Sequence, residues 1–456
     1  MNVINSGYIR DLQGKEYSFT YDGDWLRLVP LKTSEQIDIL KSILMPLRIH
    51  NNIISGFTNA GKYIYFVQCD FVRNNNDGYE CRPGACIILN NGCNYFQSIS
   101  FYGEIVNYFH RPNQAIDATS KFNYGDGLGG GQIIIKQYSE FTNTESVRVC
   151  HRNAKLCVSI SMPPIPHNMN SNYTYGIPKS FIRFSFQKII KPNEFEELYL
   201  YVLKLLQFVA FRQTIFPNEI ILEGMDEKHR IYTCGMVYLA NLPKNELPHY
   251  GKVIEYKLLS NHISKLLDVL NHDINMNAIP MTNIEYSNAN ISTFLDTCNS
   301  FESVYNFVNQ KYKWENSKYN EAAGYVIKAI DELDNSFKTK DRKLRKEFSK
   351  IKSDIKNMRL SLENKYNYCI EHYGESLLND YLIKIYQDCN LNKQEIKDLP
   401  NRLQTVRNSN THRFTLKLDN QCLAAIRIMR LLVYVLILDY CGISKKNIRQ
   451  ILDQIS

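Results

Sequence analysis

The residues best suited to chemistry form one hexad near the C-terminus, Arg407-Asn-Ser-Asn-Thr-His412. An imidazole, with an ordinary pKa near ~6.5, can give or take a proton at neutral pH. A guanidinium stays charged, and its fork of donors matches the oxygens of a phosphoryl group. Asn408 can hold either Arg407 or a phosphate oxygen through its amide. Arg407, Asn408 and His412 are therefore the candidate catalytic residues, and their types suit a reaction at an anionic phosphorus.

RNA is the polymer that this set of groups could cleave, because each ribose carries a 2′-hydroxyl nucleophile beside the scissile phosphate. In a continuous helix Arg407 and Thr411 would share a face, with His412 one position further round. One Arg and one His are a small catalytic set, but a two-fold symmetric dimer would bring two copies together. The alternative is that Arg407 pairs with a structural carboxylate and His412 fills a helix junction.

A basic segment lies upstream of the hexad. Between Lys338 and Arg359 there are ten basic and three acidic residues, a net charge of +7 in a chain whose total is +8. Such a segment predicts an electrostatic footprint for a polyanion such as RNA, with Lys343, Arg345 and Lys346 as binding residues. A solvated helix face is the alternative interpretation.

The order of predicted elements indicates an α+β multidomain chain. Up to about residue 190, short β-branched and aromatic runs separated by Gly, Asn and Pro predict antiparallel strands of a sandwich or barrel. A helix is predicted near 193–212. From residue 301 onward the pattern predicts only helices, with a break at Gly374 and an apolar helix over 423–440. The predicted domains are therefore 1–300, β-rich, and 301–456, an all-α helical bundle.

Composition excludes several classes of protein. With 44% hydrophobic and 22% charged residues, the chain is neither disordered nor collagenous. Its 12 Cys are scattered, which predicts reduced thiols, and the longest apolar run is short of the ~20 residues of a membrane span. We therefore expect a cytoplasmic protein that contacts no membrane.

Two further patterns are only weak evidence for a binding site. The glycine-rich segment 125–130 has GxGxxG spacing, but it leads into a predicted strand, which indicates a loop. Cys81 and Cys86, with Cys69 and Cys93, could supply four zinc ligands, although their spacings fit no standard array. We expect no metal and no cofactor.

The C-terminal part, residues 301–456, resembles the HEPN domain of ApeA-type bacterial abortive-infection proteins. HEPN ribonucleases carry Arg, a polar residue that is often Asn, three residues and His, as in 407–412. A helical pair and a late hydrophobic helix ending at Cys441-Gly-Ile443 complete this likeness. The first half resembles the ApeA N-terminal domain through Ile54–Gly61, a strand ending near Cys69 and a helix before Phe211.

This resemblance implies a metal-independent RNA endonuclease of an anti-phage abortive-infection system, a toxin acting on tRNA and leaving 2′,3′-cyclic phosphate ends. It implies a homodimer through the HEPN domain, in which the two hexads converge, and an N-terminal domain that binds a phage-derived trigger protein or restrains the nuclease. Asp331 or Glu332 would orient the site. The alternatives are a catalytically inactive HEPN dimer that binds nucleic acid or acts as a scaffold, and a carbohydrate- or protein-binding β-module with a dimerising tail.

Overall fold

The structure of the chain is a computed structural model. It describes residues 5–10, 16–31, 53–75, 78–90, 92–121, 130–162, 178–212, 214–226, 228, 230–240, 242, 247–272, 290–309, 317–336, 342–356, 361–410 and 418–455.

Strands occupy most of the described residues before residue 240, apart from a few helices. They are β1 Asn5–Arg10, β2 Glu16–Tyr21, β3 Leu26–Pro30, β4 Ile54–Thr58, β5 Tyr63–Val67, β6 Asp70–Asn75, β7 Gly78–Arg82, β8 Ala85–Leu89, β9 Phe96–Tyr102, β10 Ile116–Lys121, β11 Gly130–Ile135, β12 Asn143–Val149, β13 Arg152–Ser161, β14 Lys179–Ile190, β15 Glu219–Met225 and β16 Ile231–Leu239.

The α-helices lie between and after the strands, and they make up most of the described residues after residue 290. They are α1 Glu104–Phe109, α2 Tyr138–Phe141, α3 Phe195–Ala210, α4 Tyr256–Leu259, α5 Ile263–Leu270, α6 Ile291–Val308, α7 Ser317–Ser336, α8 Arg342–Lys356, α9 Leu362–Tyr373, α10 Asn379–Asp388, α11 Lys393–Asn410, α12 Asn420–Cys441 and α13 Lys445–Ile455. The predicted α+β layout, an antiparallel sheet region followed by a helical region, is confirmed.

Fourteen of these strands form one antiparallel sheet in the order β12-β13-β14-β9-β15-β16-β8-β5-β4-β1-β2-β3-β7-β6, and β10 pairs with β11. The sheet curls where its first strands meet. Phe66 of β5 lies 5.5 Å from Phe19 and 5.1 Å from Tyr21, both in β2, between ring centroids. Three strand spacings in a flat sheet would separate these rings by about 14 Å. Strands β1 to β5, β7 and β8 therefore wrap around a shared apolar core, which also contains Leu26 and Ile64.

The helical unit is organised around α12, against which α6, α10 and α11 pack. The helix is capped at its start by Asp419, whose carboxylate accepts a hydrogen bond from the Cys422 amide at 2.8 Å, and at its end by Gly442 with φ 88°. It is long and apolar enough to span a membrane by length and composition, with mean hydropathy 2.0 over its most apolar window. That window is 83% buried inside the fold, as in the core helix of a helical bundle.

Two boundaries differ from the sequence prediction. The sequence predicts that a helix ends at Gly374. This prediction is wrong, because a π-helical turn over Gly374–Leu378 joins α9 to α10 without a break. The widened turn keeps Leu377 and Leu378 buried, and this packing outweighs the roughly 1 kcal/mol that a glycine costs in a helix. The chain also divides into compact units near residue 271, with α6 in the second unit, upstream of the predicted boundary at residue 300.

A glycine inside α7 provides a simple test of helix stability. Gly324 is in the helix interior, and a Cβ added there would meet nothing within 4 Å. Gly324→Ala should therefore stabilise the protein by about 0.5–1 kcal/mol, because alanine restricts the unfolded chain and favours the helix. The measurement is the urea midpoint of unfolding. Gly92→Ala is the contrasting variant, since Gly92 also has open space but φ 83°, and it should destabilise.

Candidate functional site

The hexad begins in the last turn of α11. This helix starts at a capping box, in which the Asn392 side chain accepts from the amides of Gln394 and Glu395 at 2.9 Å and Glu395 accepts from the Asn392 amide at 2.8 Å. Its buried face consists of Leu399, Leu403 and Val406. Arg407 follows directly, so the packing of this face determines where its guanidinium points.

Arg407 is held by a carboxylate from another helix. Its Nη2 lies 2.5 Å from Oε2 of Glu302 in α6, and the two side chains are 34% and 14% exposed. A guanidinium that is anchored on one side and a third exposed can still present donors to an anionic ligand.

The same carboxylate holds a buried lysine. Lys365 of α9 is 1% exposed, and its Nζ donates to Oε1 of Glu302 at 2.9 Å. Glu302 of α6 therefore bridges two cations on two other helices, Lys365 through one oxygen and Arg407 through the other. Because a buried ammonium without an anion is costly, this bridge ties the position of Arg407 to the stability of the bundle.

Asn408 has its own orienting chain of hydrogen bonds. Its Oδ1 accepts from Nε2 of Gln404 at 2.9 Å, and Oε1 of Gln404 accepts from the Leu362 amide at the start of α9 at 2.9 Å. The side chain of Asn408 is exposed. The side-chain amide of Asn408 is therefore oriented with its oxygen toward Gln404 and its nitrogen pointing away from Gln404.

A thiol one helical turn from Glu302 is poorly suited to be a nucleophile. Burial, with a smaller contribution from the Glu302 carboxylate, raises the pKa of the Cys298 thiol well above its usual value. Only the thiolate is nucleophilic, so this buried cysteine stays neutral and inert at physiological pH.

His412 and Thr411 lie outside the described residues, so the approach of the imidazole to Arg407 remains a prediction. The structure brings Arg407 together with Glu302 and Lys365, which the sequence analysis did not single out. Glu302 is a lone acid beside buried Phe301 and near buried Val304. An acid in such an apolar run is the signal that could have identified it.

The acids suggested for orienting the site belong to a different part of the unit. Asp331 accepts from Nζ of Lys352 at 2.8 Å, which joins α7 to α8, and Glu332 is exposed on α7. The carboxylate bound to Arg407 comes instead from Glu302.

The predicted RNA-binding residues Lys343, Arg345 and Lys346 are all exposed on α8. Nε of Arg345 lies 3.3 Å from Oδ1 of Asp334, so α7 neutralises part of the positive charge of α8. Both interpretations of the basic segment, a polyanion footprint and a solvated helix face, therefore stay open at this point.

The remaining sequence patterns show no second site among the residues that the structure describes. Cys69, Cys81 and Cys86 are buried free thiols, and burial raises the pKa of Cys86. Within the part of the chain that the structure describes, no three His, Cys, Asp or Glu side chains are grouped to hold a metal ion. Of the glycine-rich segment, residues 122–129 lie outside the described ranges.

Comparison of the chain with family models, with curated proteins and with solved structures gives no match. The candidate site is therefore defined by its own geometry. The partly exposed Arg407 and the exposed Asn408 lie at the end of α11, and the guanidinium of Arg407 is anchored by a carboxylate that a buried lysine also binds.

Proposed function

We propose that the chain is a metal-independent RNA endonuclease of the HEPN type, with Arg407, Asn408 and His412 as its catalytic residues. The observation that carries the proposal is the state of Arg407, which Glu302 anchors on one side while a third of its side chain is exposed. It lies at the end of α11, directly before the segment that carries His412. The hexad supplies the motif, and the anchored guanidinium supplies a preorganised charge.

The reaction is an internal transesterification. The ribose 2′-oxygen attacks the adjacent phosphorus, the bond from phosphorus to the 5′-oxygen breaks, and the products are a 2′,3′-cyclic phosphate and a 5′-hydroxyl. His412 would take the 2′-hydroxyl proton, and the partner's His412 would give a proton to the departing 5′-oxygen. Arg407 would stabilise the anionic phosphorus, with Asn408 bonding a phosphate oxygen.

RNA would be attracted by the exposed cations of α8. We expect replacement of Lys343, Arg345 and Lys346 by glutamine to weaken RNA binding and to flatten its salt dependence, because about three fewer phosphate contacts release fewer counterions. The measurement is the dissociation constant for tRNA at several salt concentrations in EDTA.

The matched control for this experiment is the triple glutamine variant of Lys384, Lys393 and Lys397, which are exposed cations of the same unit outside α8. This control should bind RNA like the wild type. An unchanged salt slope in the α8 variant would reject the footprint and leave the solvated face as the explanation.

The cellular role that we propose is anti-phage abortive infection in the cytoplasm, with tRNA as substrate. What supports it is the resemblance of 301–456 to ApeA-type HEPN domains. We assign the curled strands β1 to β8 to a barrel-like module that binds a phage-derived trigger protein. The test is incubation of the purified protein with tRNA in EDTA, with and without phage lysate, comparing wild type with Arg407→Ala.

A second candidate function is favoured by one observation. Arg407, Glu302 and Lys365 form a closed ionic bridge, which is what a purely structural arginine would also show. The chain would then be a catalytically inactive HEPN dimer that binds nucleic acid or acts as a scaffold. RNA binding without cleavage under any trigger would support this second function.

A further inference from the structure

Helix α7 carries an apolar face that the fold leaves open. Ala322, Tyr325, Val326, Ala329 and Leu333 are all exposed, and their i, i+3, i+4, i+7 and i+11 spacing places them on one side of the helix. The largest are 66% (Tyr325), 48% (Val326) and 49% (Leu333) exposed. We call these five residues the α7 face.

The other side of α7 is already used. Asp331 and Asp334 bind Lys352 at 2.8 and 3.7 Å, and Asp334 also binds Arg345. Ile330, between these acids and the α7 face, is buried. The hairpin of α7 and α8 is therefore joined by ion pairs along one edge, while the α7 face points outward along the other.

The α7 face is complementary to itself. In an antiparallel pair of α7 helices with the two-fold axis between residues 327 and 328, Ala322 faces Leu333 of the partner subunit. In the same register Val326 faces the partner's Ala329. Val326 and Leu333 then each meet an alanine of the partner subunit, and the contact repeats itself across the axis as a two-fold interface must.

Charge argues against a polyanion or an anionic membrane as the occupant. The α7 face is bordered by the exposed acids Glu321 and Glu332, and α7 carries four acids against two lysines. The neighbouring α8 has seven basic and two acidic residues, so a polyanion would bind there instead. A contact between two α7 helices also keeps the strongly basic α8 helices of the two copies out of the interface.

We infer that the α7 face is a homodimer contact, whose occupant is the α7 face of a second copy of this chain. A 20-residue helix is about 30 Å long and ~10 Å wide, so two such faces bury roughly 600 Å² in total. That is about half of the ~1,200 Å² at the lower end of stable interfaces, so this contact alone should give weak, micromolar association. The inference does not depend on whether the chain cleaves RNA.

The test is sedimentation velocity of the full chain without RNA, over about 1–100 µM. The wild type should associate as its concentration rises, and Val326→Glu and Leu333→Glu should each weaken association about tenfold or more, since they place a carboxylate in the apolar contact. The matched control is Ile383→Glu, an equally exposed isoleucine of α10, which should behave as the wild type.

A swap of small and large residues tests the register. Ala322→Leu should weaken association by opposing two leucines, and Leu333→Ala should weaken it by leaving a gap. The two substitutions together restore one large and one small residue at each contact. The double variant should therefore regain most of the wild-type affinity for self-association. Glu332→Gln should tighten association, because this register brings Glu332 near the partner's Glu321.

Three results would overturn the inference: a wild type that stays monomeric, a Leu333→Glu variant that associates like the wild type, or a double variant no better than its single substitutions. If the proposed nuclease activity is wrong but this inference is right, the chain will self-associate while tRNA stays intact.

Discussion

Arg407→Ala is expected to lower the rate of RNA cleavage about 10²–10³-fold, while the affinity for RNA changes little. The guanidinium acts on charge that develops in the transition state, and the loss of one such preorganised donor has this magnitude in other enzymes. Arg407→Lys should recover only part of the rate, because an ammonium keeps the charge but lacks the planar fork. The measurement is single-turnover cleavage of tRNA in EDTA.

His412→Ala should lower the rate by about 10²–10⁴-fold, the range for a general acid or base. The double variant with Arg407→Ala should lose little more than the worse single one, because residues that act as a unit are not additive. The matched control is Arg427→Ala, which removes an arginine that binds Asp388 at 2.8 Å elsewhere in the unit. Equal cleavage by wild type and Arg407→Ala would exclude the proposed catalytic role.

Glu302→Gln is expected to destabilise the protein by about 3–5 kcal/mol, the largest stability effect that we predict. The substitution leaves the ammonium of Lys365, 1% exposed, without its anion. The measurement is the free energy of unfolding from urea denaturation, with an unchanged slope showing that the denatured state is not altered. A loss under about 1 kcal/mol would show that Lys365 finds another partner or water.

A double variant separates stability from positioning. Lys365→Met added to Glu302→Gln removes the buried charge along with its partner, and methionine fills a similar volume, so stability should largely return. Arg407 still lacks its carboxylate in this protein. If Glu302 is a positioning residue, the refolded double variant cleaves RNA slowly with nearly unchanged RNA affinity, whereas wild-type cleavage would assign it a structural role only.

Local periodicity was enough to predict the type of most elements. The buried residues of α3, among them Leu198, Val202 and Leu205, follow the predicted helical spacing, and the structure begins this helix at Phe195. In α11, by contrast, a proline lies inside the helix, which local propensity alone would not place there. The capping box at Asn392 and the buried Leu399 and Leu403 carry the helix through Pro400.

The sequence by itself determined which groups can do chemistry, since the identity and spacing of Arg407, Asn408 and His412 follow from the printed chain. Only the tertiary structure decided which groups surround Arg407. Glu302 and Lys365 are 105 and 42 residues away from it along the chain, and no local pattern connects them. They meet because α6, α9 and α11 bury their apolar faces against one another, and this packing sets the distance between a carboxylate and two cations.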